Sequence, residues 1–493
     1  MKVLVTGGSG VIGGQAVAAL IEKGHSVRLL SRHAEGDARH WDDRVEPWEG
    51  DVATPDSLAG CTKGCDAVLH IAGIVSENPP DVTFEKINVR GTANMLAEAW
   101  SGGVRRFVLI SSLGADRGTS DYHRSKLEAE NLVREVDGNW TIVRPGNVYG
   151  PGDEVISKLL KLVRTLPAVP VIGSGEQPFQ PVWCGDLGRF LVRTLERDDL
   201  GGRVLEVAGT EVTSMKDMID RLSVLTGRSP VKLPVPGFLA EFGTKLAGKA
   251  GIELPADENK LTMLRESETL EPDRNALVTE FDEPPTSIDE GLRKLIDAFP
   301  EQKPSDGVGP LHEKRYFADI RDSKLEAGQL FEHLRQNCTE LIPIDFEGGT
   351  DGSPVLEEGQ TLVASLPARG QIQMRIIELS PLSMTLSTLE GHPLAGVVRF
   401  SCQGNGSATR FEVLVNERAS GIVDAVAMET VGGLLQDSNW VELVERMVAV
   451  SEGSTADGVR KESRTLEGDE AETAEKRIED LLASLHRKQQ AVL

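Results

Sequence analysis

Met1-Lys2-Val3-Leu4-Val5-Thr6-Gly7-Gly8-Ser9-Gly10-Val11-Ile12-Gly13-Gly14 opens the chain, and its reading decides the fold. Residues 1–6 are a short apolar run of the kind that forms a buried strand. A glycine-rich turn follows without a linker, and a helix is predicted from about Gly14 to Lys23. Gly24 supplies a left-handed stop, and Ser26-Val27-Arg28-Leu29-Leu30 reads as a second strand. Strand, turn, helix and strand make one parallel crossover unit. Gly7, Gly10 and Gly13 stand three apart, unlike the one-then-two spacing of the common dinucleotide fingerprint. The physical requirement is unchanged. With side chains absent from the turn, the backbone from Gly7 through Gly10, Val11, Ile12 and Gly13 can close on a pyrophosphate. The helix N-terminus adds roughly half a positive charge.

The remaining composition narrows the class. The 493 residues allow two or three domains. Their 77 acidic and 53 basic side chains give a net charge of −24, which argues against nucleic acid and anionic membrane as partners. Cys61, Cys65, Cys184, Cys338 and Cys402 show neither a paired framework nor metal spacing, and Cys61 and Cys65 read as reduced thiols around a short loop. No apolar run approaches the ~18–20 residues of a membrane span. The first strand leaves no room for a signal peptide, so a soluble cytoplasmic protein is expected.

After the second strand comes Ser31-Arg32-His33. An acid here would hold the ribose 2′-hydroxyl of NAD, whereas an arginine suits the 2′-phosphate of NADP. Arg32 therefore favours NADP(H), with NAD(H) the alternative and a plain surface arginine the non-functional reading. Gly50-Asp51-Val52 reads as the end of a third strand, with Asp51 either touching the adenine edge or serving as a loop or N-cap aspartate. Ala67 to Gly73 is a fourth strand running into a small-residue turn, where Ala72 and Gly73 would let backbone approach the coenzyme. Lys86 to Trp100 is a helix, and Arg106 to Ile110 a fifth strand ending in Ser111-Ser112. Ligands collect beyond the carboxyl ends of parallel strands, so either serine stands where chemistry would occur or caps the next turn.

Tyr122-His123-Arg124-Ser125-Lys126 begins a helix that runs to about Val136. Tyr122 and Lys126, at i and i+4, share one face with Cβ atoms roughly 5–6 Å apart. A free phenol has a pKa near 10, so using it as a base near pH 7 requires about three units, or roughly 4 kcal/mol. An ammonium one turn away would supply part of that, and an oxidised nicotinamide more. Ser112, Tyr122 and Lys126 form the catalytic candidate.

The ordered set Thr6 to Gly13, Asp51, Asn88-Val89-Arg90-Gly91-Thr92, Ser111-Ser112, Tyr122 with Lys126, and Arg144-Pro145-Gly146-Asn147-Val148-Tyr149-Gly150-Pro151-Gly152 resembles an extended short-chain dehydrogenase/reductase of the NAD-dependent epimerase/dehydratase superfamily. Ser112-Leu113-Gly114-Ala115 with Tyr122, Ser125, Lys126 and Glu130 resembles the atypical branch that includes the nucleotide-binding accessory subunit of respiratory complex I. Pro181 to Asp186 and Leu205 to Glu211 agree with it, and the resemblance covers about residues 1–300. It implies a Rossmann-type doubly wound parallel sheet with a small substrate lobe at about 151–180 and 204–300. It also implies coenzyme contacts at Val52, Pro145, Asn147 and Val148. Two features depart from the family pattern. Tyr122 follows Ser112 by only ten positions, abbreviating the loop that shapes the substrate pocket, and His70-Ile71-Ala72-Gly73 replaces the usual Asn-Ala-Ala-Gly-type turn. The implied function is an NAD(P)-dependent oxidoreductase or epimerase acting on a small, hydrophobic molecule. The alternative is a non-catalytic NADPH-binding assembly or redox-sensing protein. Phe238 to Ala247 reads as a core helix or the wall of an apolar pocket.

Pro304 to Pro310 reads as a linker between a first domain of 1–303 and a second of 311–452. Ser323 to Glu326 reads as a capping box opening a helix with Ala327, Leu330, Phe331 and Leu334 on one face. From Gln360 to Glu417 the period falls to two, with a hairpin at Gly404-Asn405-Gly406 and further strands near Thr361–Leu366, Gln371–Leu379 and Ser383–Leu389. Ser438 then caps a helix bearing Trp440, Val444 and Met447. Helix, antiparallel meander and long terminal helix resemble the START-like (SRPBCC) α+β helix-grip superfamily, as does Leu389-Glu390-Gly391-His392-Pro393. That resemblance implies an apolar cavity for a hydrophobic ligand, with His392 as a turn residue or a ligand contact. Residues 453–493 read as an acidic, flexible tail. It ends in a helix whose stripe of Ile478, Leu481, Leu482 and Leu485 would dock on a neighbour or on another copy of the chain.

Overall fold

The computed structural model describes the chain apart from residues 40, 167, 227–229, 236–268, 299–300, 344, 348–355, 367–369, 406–407, 422–432 and 493. It divides into two compact units, Met1–Leu225 with Ser229–Ile296, and chiefly Asp297–Leu493. The segment Phe238 to Ala247 lies outside the described residues.

The first unit is built on seven parallel strands: β1 (Lys2–Thr6), β2 (Ser26–Ser31), β3 (Val45–Glu49), β4 (Ala67–His70), β5 (Arg106–Ile110), β6 (Asn139–Pro145) and β7 (Arg203–Val207). Their order is β7-β6-β5-β4-β1-β2-β3, so the chain reverses direction across the sheet at β1 and β4. The inner strands are buried on both faces because alternate residues meet different helices, whereas the edge strand β3 exposes three of its five residues. Val3, Val5, Val27, Leu29 and Leu69 pack with Ala16, Val17 and Leu20 of α1 (Val11–Glu22). Leu4, Leu30, Val68 and Leu109 pack instead with Met95, Leu96 and Ala99 of α2 (Gly91–Ser101) and with Ala129 and Val133 of α3 (Asp121–Arg134). Leu187, Phe190 and Leu191 of α4 (Cys184–Glu196) complete the first layer. Each fully buried aliphatic side chain contributes about 1.5–3 kcal/mol, so the two layers dominate the stability of this unit. The architecture is the doubly wound α/β class, which places ligands at the carboxyl ends of β1 and β4.

The second unit is mainly antiparallel: β8 (Val308–Arg321), β9 (Thr361–Leu366), β10 (Gly370–Leu379), β11 (Ser383–Thr388), β12 (Leu394–Asn405), β13 (Ala408–Ala419) and β14 (Arg460–Leu466). β9 to β13 follow in sequence, β8 pairs with β13, and β14 pairs with the far edge of β8. Val398, Phe400 and Cys402 on β12 and Phe411, Val413 and Val415 on β13 face one core, as their alternation predicts. That core is closed by Leu330, Phe331 and Leu334 of α5 (Ala327–Gln336) and by Trp440, Leu443, Val444 and Met447 of α6 (Gly433–Val450).

Four expectations for this half are corrected. Residues 304–310 are not a linker: Pro304–Asp306 is a 3-10 turn, and Val308 already begins β8. The cap of α5 is Glu326 with Gln329, not Ser323, whose hydroxyl bonds Leu325 instead. Ser438 lies within α6, whose first residue is Gly433. The tail contributes β14 to the sheet. The apolar stripe of its helix α7 (Asp469–Val492) packs Ile478, Leu482 and Leu485 on Ile377 and Val397 of the same chain. His392 is a turn residue, bonded through Nδ1 to Leu394.

Candidate functional site

The glycine turn sits at the carboxyl end of β1. Gly7 adopts φ +69°, which an L side chain rarely tolerates, and a Cβ there would lie 2.8 Å from the Ala72 nitrogen. The helix begins at Val11, three residues earlier than the sequence suggests, with Gly10 as an N-cap that lends no side chain. Gly13 is thus inside the first helical turn, where a Cβ would stand 2.0 Å from the Gly7 carbonyl oxygen. A glycine-lined, uncapped helix N-terminus at a switch in strand order fits the diphosphate of a dinucleotide.

The flanking positions separate. Arg32 is exposed just beyond β2, where Ser31 Oγ donates to Asp37 Oδ2 at 2.5 Å. Asp37 therefore folds back to the end of the strand. The Gly50-Asp51-Val52 stretch follows β3 rather than ending it. Asp51 Oδ1 accepts the Ala53 amide at 2.9 Å. Val52 is buried in the core, and its carbonyl accepts from Asn94 Nδ2 at 2.8 Å. A Cβ on Gly91 of α2 would stand 2.9 Å from Val52 Cγ2. Pro145 is likewise buried; its carbonyl accepts the Leu113 amide at 2.8 Å and so fixes the loop after Ser112. Asn147 is exposed and accepts the Val182 amide, and Val148 begins a two-residue strand beside Val182.

The catalytic candidates converge. The ten-residue interval after Ser112 closes as a tight turn, and Ser120 caps α3 by accepting the His123 amide. Tyr122 and Lys126 are both buried on α3. Burial raises the Tyr122 phenol above its ordinary value, and a hydrogen bond with Ser112 opposes that rise. Lys126 Nζ lies 6.0 Å from the Tyr122 ring centre and donates to the Ile110 carbonyl at 3.0 Å. Burial pushes this amine down to about 8, with the Glu130 carboxylate opposing the shift. Gly73 faces these groups directly: a Cβ there would stand 2.9 Å from Lys126 Nζ and 3.2 Å from Asn88 Oδ1. Ser111 turns away from the site and donates to Glu130 Oε1 at 2.5 Å.

Sequence reasoning named Glu130 and Arg144 within motifs but missed that they pair beneath this site. Glu130, fully buried, accepts from Arg144 at 2.8 and 2.7 Å and from Arg134 at 2.6 Å. Arg144 also pairs with Asp116 at 2.6 Å. A charged residue in the otherwise apolar last half of β6 was the available signal, because a buried guanidinium demands a carboxylate partner. Among the described residues no cluster of His, Cys, Asp or Glu could hold a metal ion, and no helix is long and apolar enough to cross a membrane.

A glycine turn shaped for a dinucleotide, beside a half-buried serine and a buried tyrosine and lysine, defines a nucleotide-binding α/β fold. Comparison with known proteins identifies it further. Residues 3–208 match the family model "NAD dependent epimerase/dehydratase family". The chain is 32% identical over 243 residues to a ceramide reductase of Caulobacter vibrioides, covering 48% of this chain and 75% of that protein. It is 28% identical over 201 residues to subunit 9 of the NADH dehydrogenase [ubiquinone] 1 alpha subcomplex of Dictyostelium discoideum, covering 40% and 55%. It is 32% identical over 187 residues to a 3 beta-hydroxysteroid dehydrogenase/Delta 5-->4-isomerase of Mycobacterium tuberculosis, covering 32% and 50%. The matches thus span between half and three quarters of these relatives. The chain belongs to the NAD-dependent epimerase/dehydratase family.

Proposed function

We propose that the chain is an NAD(P)-dependent oxidoreductase that interconverts a hydroxyl and a carbonyl group on a hydrophobic small molecule. The observation that carries this reading is the meeting of Ser112, Tyr122 and Lys126 beside the uncapped glycine turn. The turn and the first amides of α1 would hold the diphosphate, with Ala72 and Gly73 opposite. The nicotinamide, when bound, supplies or accepts the hydride. Ser112 orients the substrate oxygen, Tyr122 moves the proton to or from it, and Lys126 holds the ribose and favours the phenolate. The exposed Arg32 supports NADP(H) over NAD(H), since Ser31 stands where an acid would select NAD. Support for a hydrophobic substrate comes from the ceramide reductase and hydroxysteroid dehydrogenase, whose names state lipid-like substrates.

For the second unit we infer a START-like module that binds a hydrophobic ligand. A helix-backed antiparallel sheet supports it, as does the Trp440 indole nitrogen, which is buried there without a hydrogen-bond partner.

The test is fluorescence titration of the full chain with NADPH and NADH, followed by assay against long-chain keto-lipids and keto-steroids. Tighter NADPH binding and coenzyme oxidation with one of these classes are expected. Retention of NADPH without turnover across the panel would favour the assembly or sensing role, a reading that the subunit 9 likeness supports. Native mass spectrometry of the same preparation, finding no hydrophobic ligand, would count against the START-like assignment.

A further inference from the structure

We propose that His70 is a positioning residue that couples the nucleotide turn to the catalytic helix, through a buried hydrogen-bond chain running Thr6–His70–Thr92–Asn88–Ser125. The proposal rests on the coenzyme-binding reading above.

The chain has one consistent direction. Thr6 Oγ1, at the end of β1, accepts the amides of Ile71 and Ala72 at 3.2 and 3.1 Å. Its own proton is therefore directed to His70 Nδ1, 2.8 Å away. On the other side, Thr92 Oγ1 donates to the Asn88 carbonyl at 2.6 Å, so it receives a proton from His70 Nε2 at 3.2 Å. Both ring nitrogens are thereby assigned: Nδ1 accepts and Nε2 carries the hydrogen. The ring is fully buried, its centre 5.9 Å from that of Phe107. Burial, with the nearby Lys126 charge, pushes its pKa down to about 3, so the neutral form persists at working pH.

The two ends of the chain give it a function. Asn88 lies in a π-helical turn, Glu85–Arg90, directly before α2, the kind of irregularity that re-aims a side chain. Its amide spans two elements. Oδ1 accepts the Ile74 amide at 2.9 Å, and Nδ2 donates to the Ile74 carbonyl at 3.1 Å and to Ser125 Oγ at 3.0 Å. Ser125 in turn donates to the Tyr122 carbonyl at 2.7 Å. At the opposite end, the Ala72 amide held by Thr6 is the same nitrogen that Gly7 approaches too closely for any side chain. The spacing between the Gly7 turn and Ala72, and the placement of Tyr122 over it, are thus set by one connected network. Buried networks of this kind fix a geometry because each unmade bond strands a polar atom.

The test uses the full chain with NADPH and NADH as probes and the variants His70→Phe, His70→Gln and Thr92→Val. His70→Phe should weaken both coenzymes roughly tenfold, the effect of about one net hydrogen bond. His70→Gln, which can accept at one end and donate at the other, should restore affinity to within about threefold. The double variant His70→Phe/Thr92→Val should bind no worse than either single variant, because both break the same chain. Nitrogen-15 spectra should show His70 as the neutral Nε2–H tautomer at pH 5. A lowered melting temperature with unchanged coenzyme affinity in His70→Phe and Thr92→Val would overturn the proposal, as would the Nδ1–H tautomer. Should His70→Phe not fold, the near-isosteric Thr92→Val decides alone. A wild-type chain that binds neither coenzyme would sink the functional reading; tight wild-type binding matched by the variants would sink only the coupling.

Discussion

Tyr122 is held where its phenol resists ionisation, because burial outweighs the Ser112 hydrogen bond. The tyrosine therefore needs help from charges that arrive with the coenzyme and from Lys126. Tyr122→Phe removes only the oxygen and should abolish measurable turnover of any carbonyl substrate while changing NADPH affinity less than threefold; stopped-flow and titration together check this. Lys126 bears the cost of its position. Its folded pKa of about 8 lies below the ordinary 10.5, so between these values the unfolded chain binds more protons than the folded one. Stability must then rise with pH through that window, and the full penalty is present below about pH 8. Lys126→Met should stabilise the first unit by roughly 1–3 kcal/mol at pH 7. That advantage should shrink toward zero by pH 10.5 in urea melts, while coenzyme affinity falls. Ser112, Tyr122 and Lys126 were legible because helical periodicity and a strand end place them without tertiary information. His70 was not legible as a network residue. Its partners Thr6 and Thr92 stand 64 and 22 residues away, and only the sheet order brings them together.

Between elements, the bond that sets α3 against β6 is the Glu130–Arg144 pair. Removing one partner leaves the other charged in a dry interior, although Asp116 remains beside Arg144. Glu130→Leu should cost about 3 kcal/mol of stability, read as a drop in the urea midpoint at unchanged slope. It should also lower the Lys126 pKa further, since the opposing carboxylate is gone. Element prediction succeeded where apolar periodicity was strong, as in β1, α1, β12 and β13. It failed at two strands for different reasons. Residues 308–310 contain Gly309 and Pro310, which read as a break; in the sheet they occupy a register shift between Val308 and His312, where a missing amide donor is tolerated. β14 offers no apolar alternation because six of its seven residues are exposed. It is held by backbone pairing to β8 and by Arg464 on Glu313 and Arg460 on Asp319, a charged edge that also resists further strand addition.

Across the whole molecule, the two units draw their cores from different stretches of sequence, and the glycine turn lies in the first. Coenzyme binding is therefore linked to the folding of one unit alone. At a free NADPH concentration about 100 times its dissociation constant, the first unit should gain about 2.7 kcal/mol, which raises its melting temperature by roughly 4–5 °C. The second unit should melt where it did before. Differential scanning calorimetry of the full chain, with and without NADPH, resolves this as one shifted transition beside one fixed. Leu482→Ala, which empties part of the contact between α7 and the outer face of the sheet, should do the converse. It should lower only the second transition, by about 2–3 kcal/mol, and leave the NADPH-sensitive one in place. If both transitions instead move together under either treatment, the units unfold as a single cooperative body, and a ligand held in one is thermodynamically felt by the other.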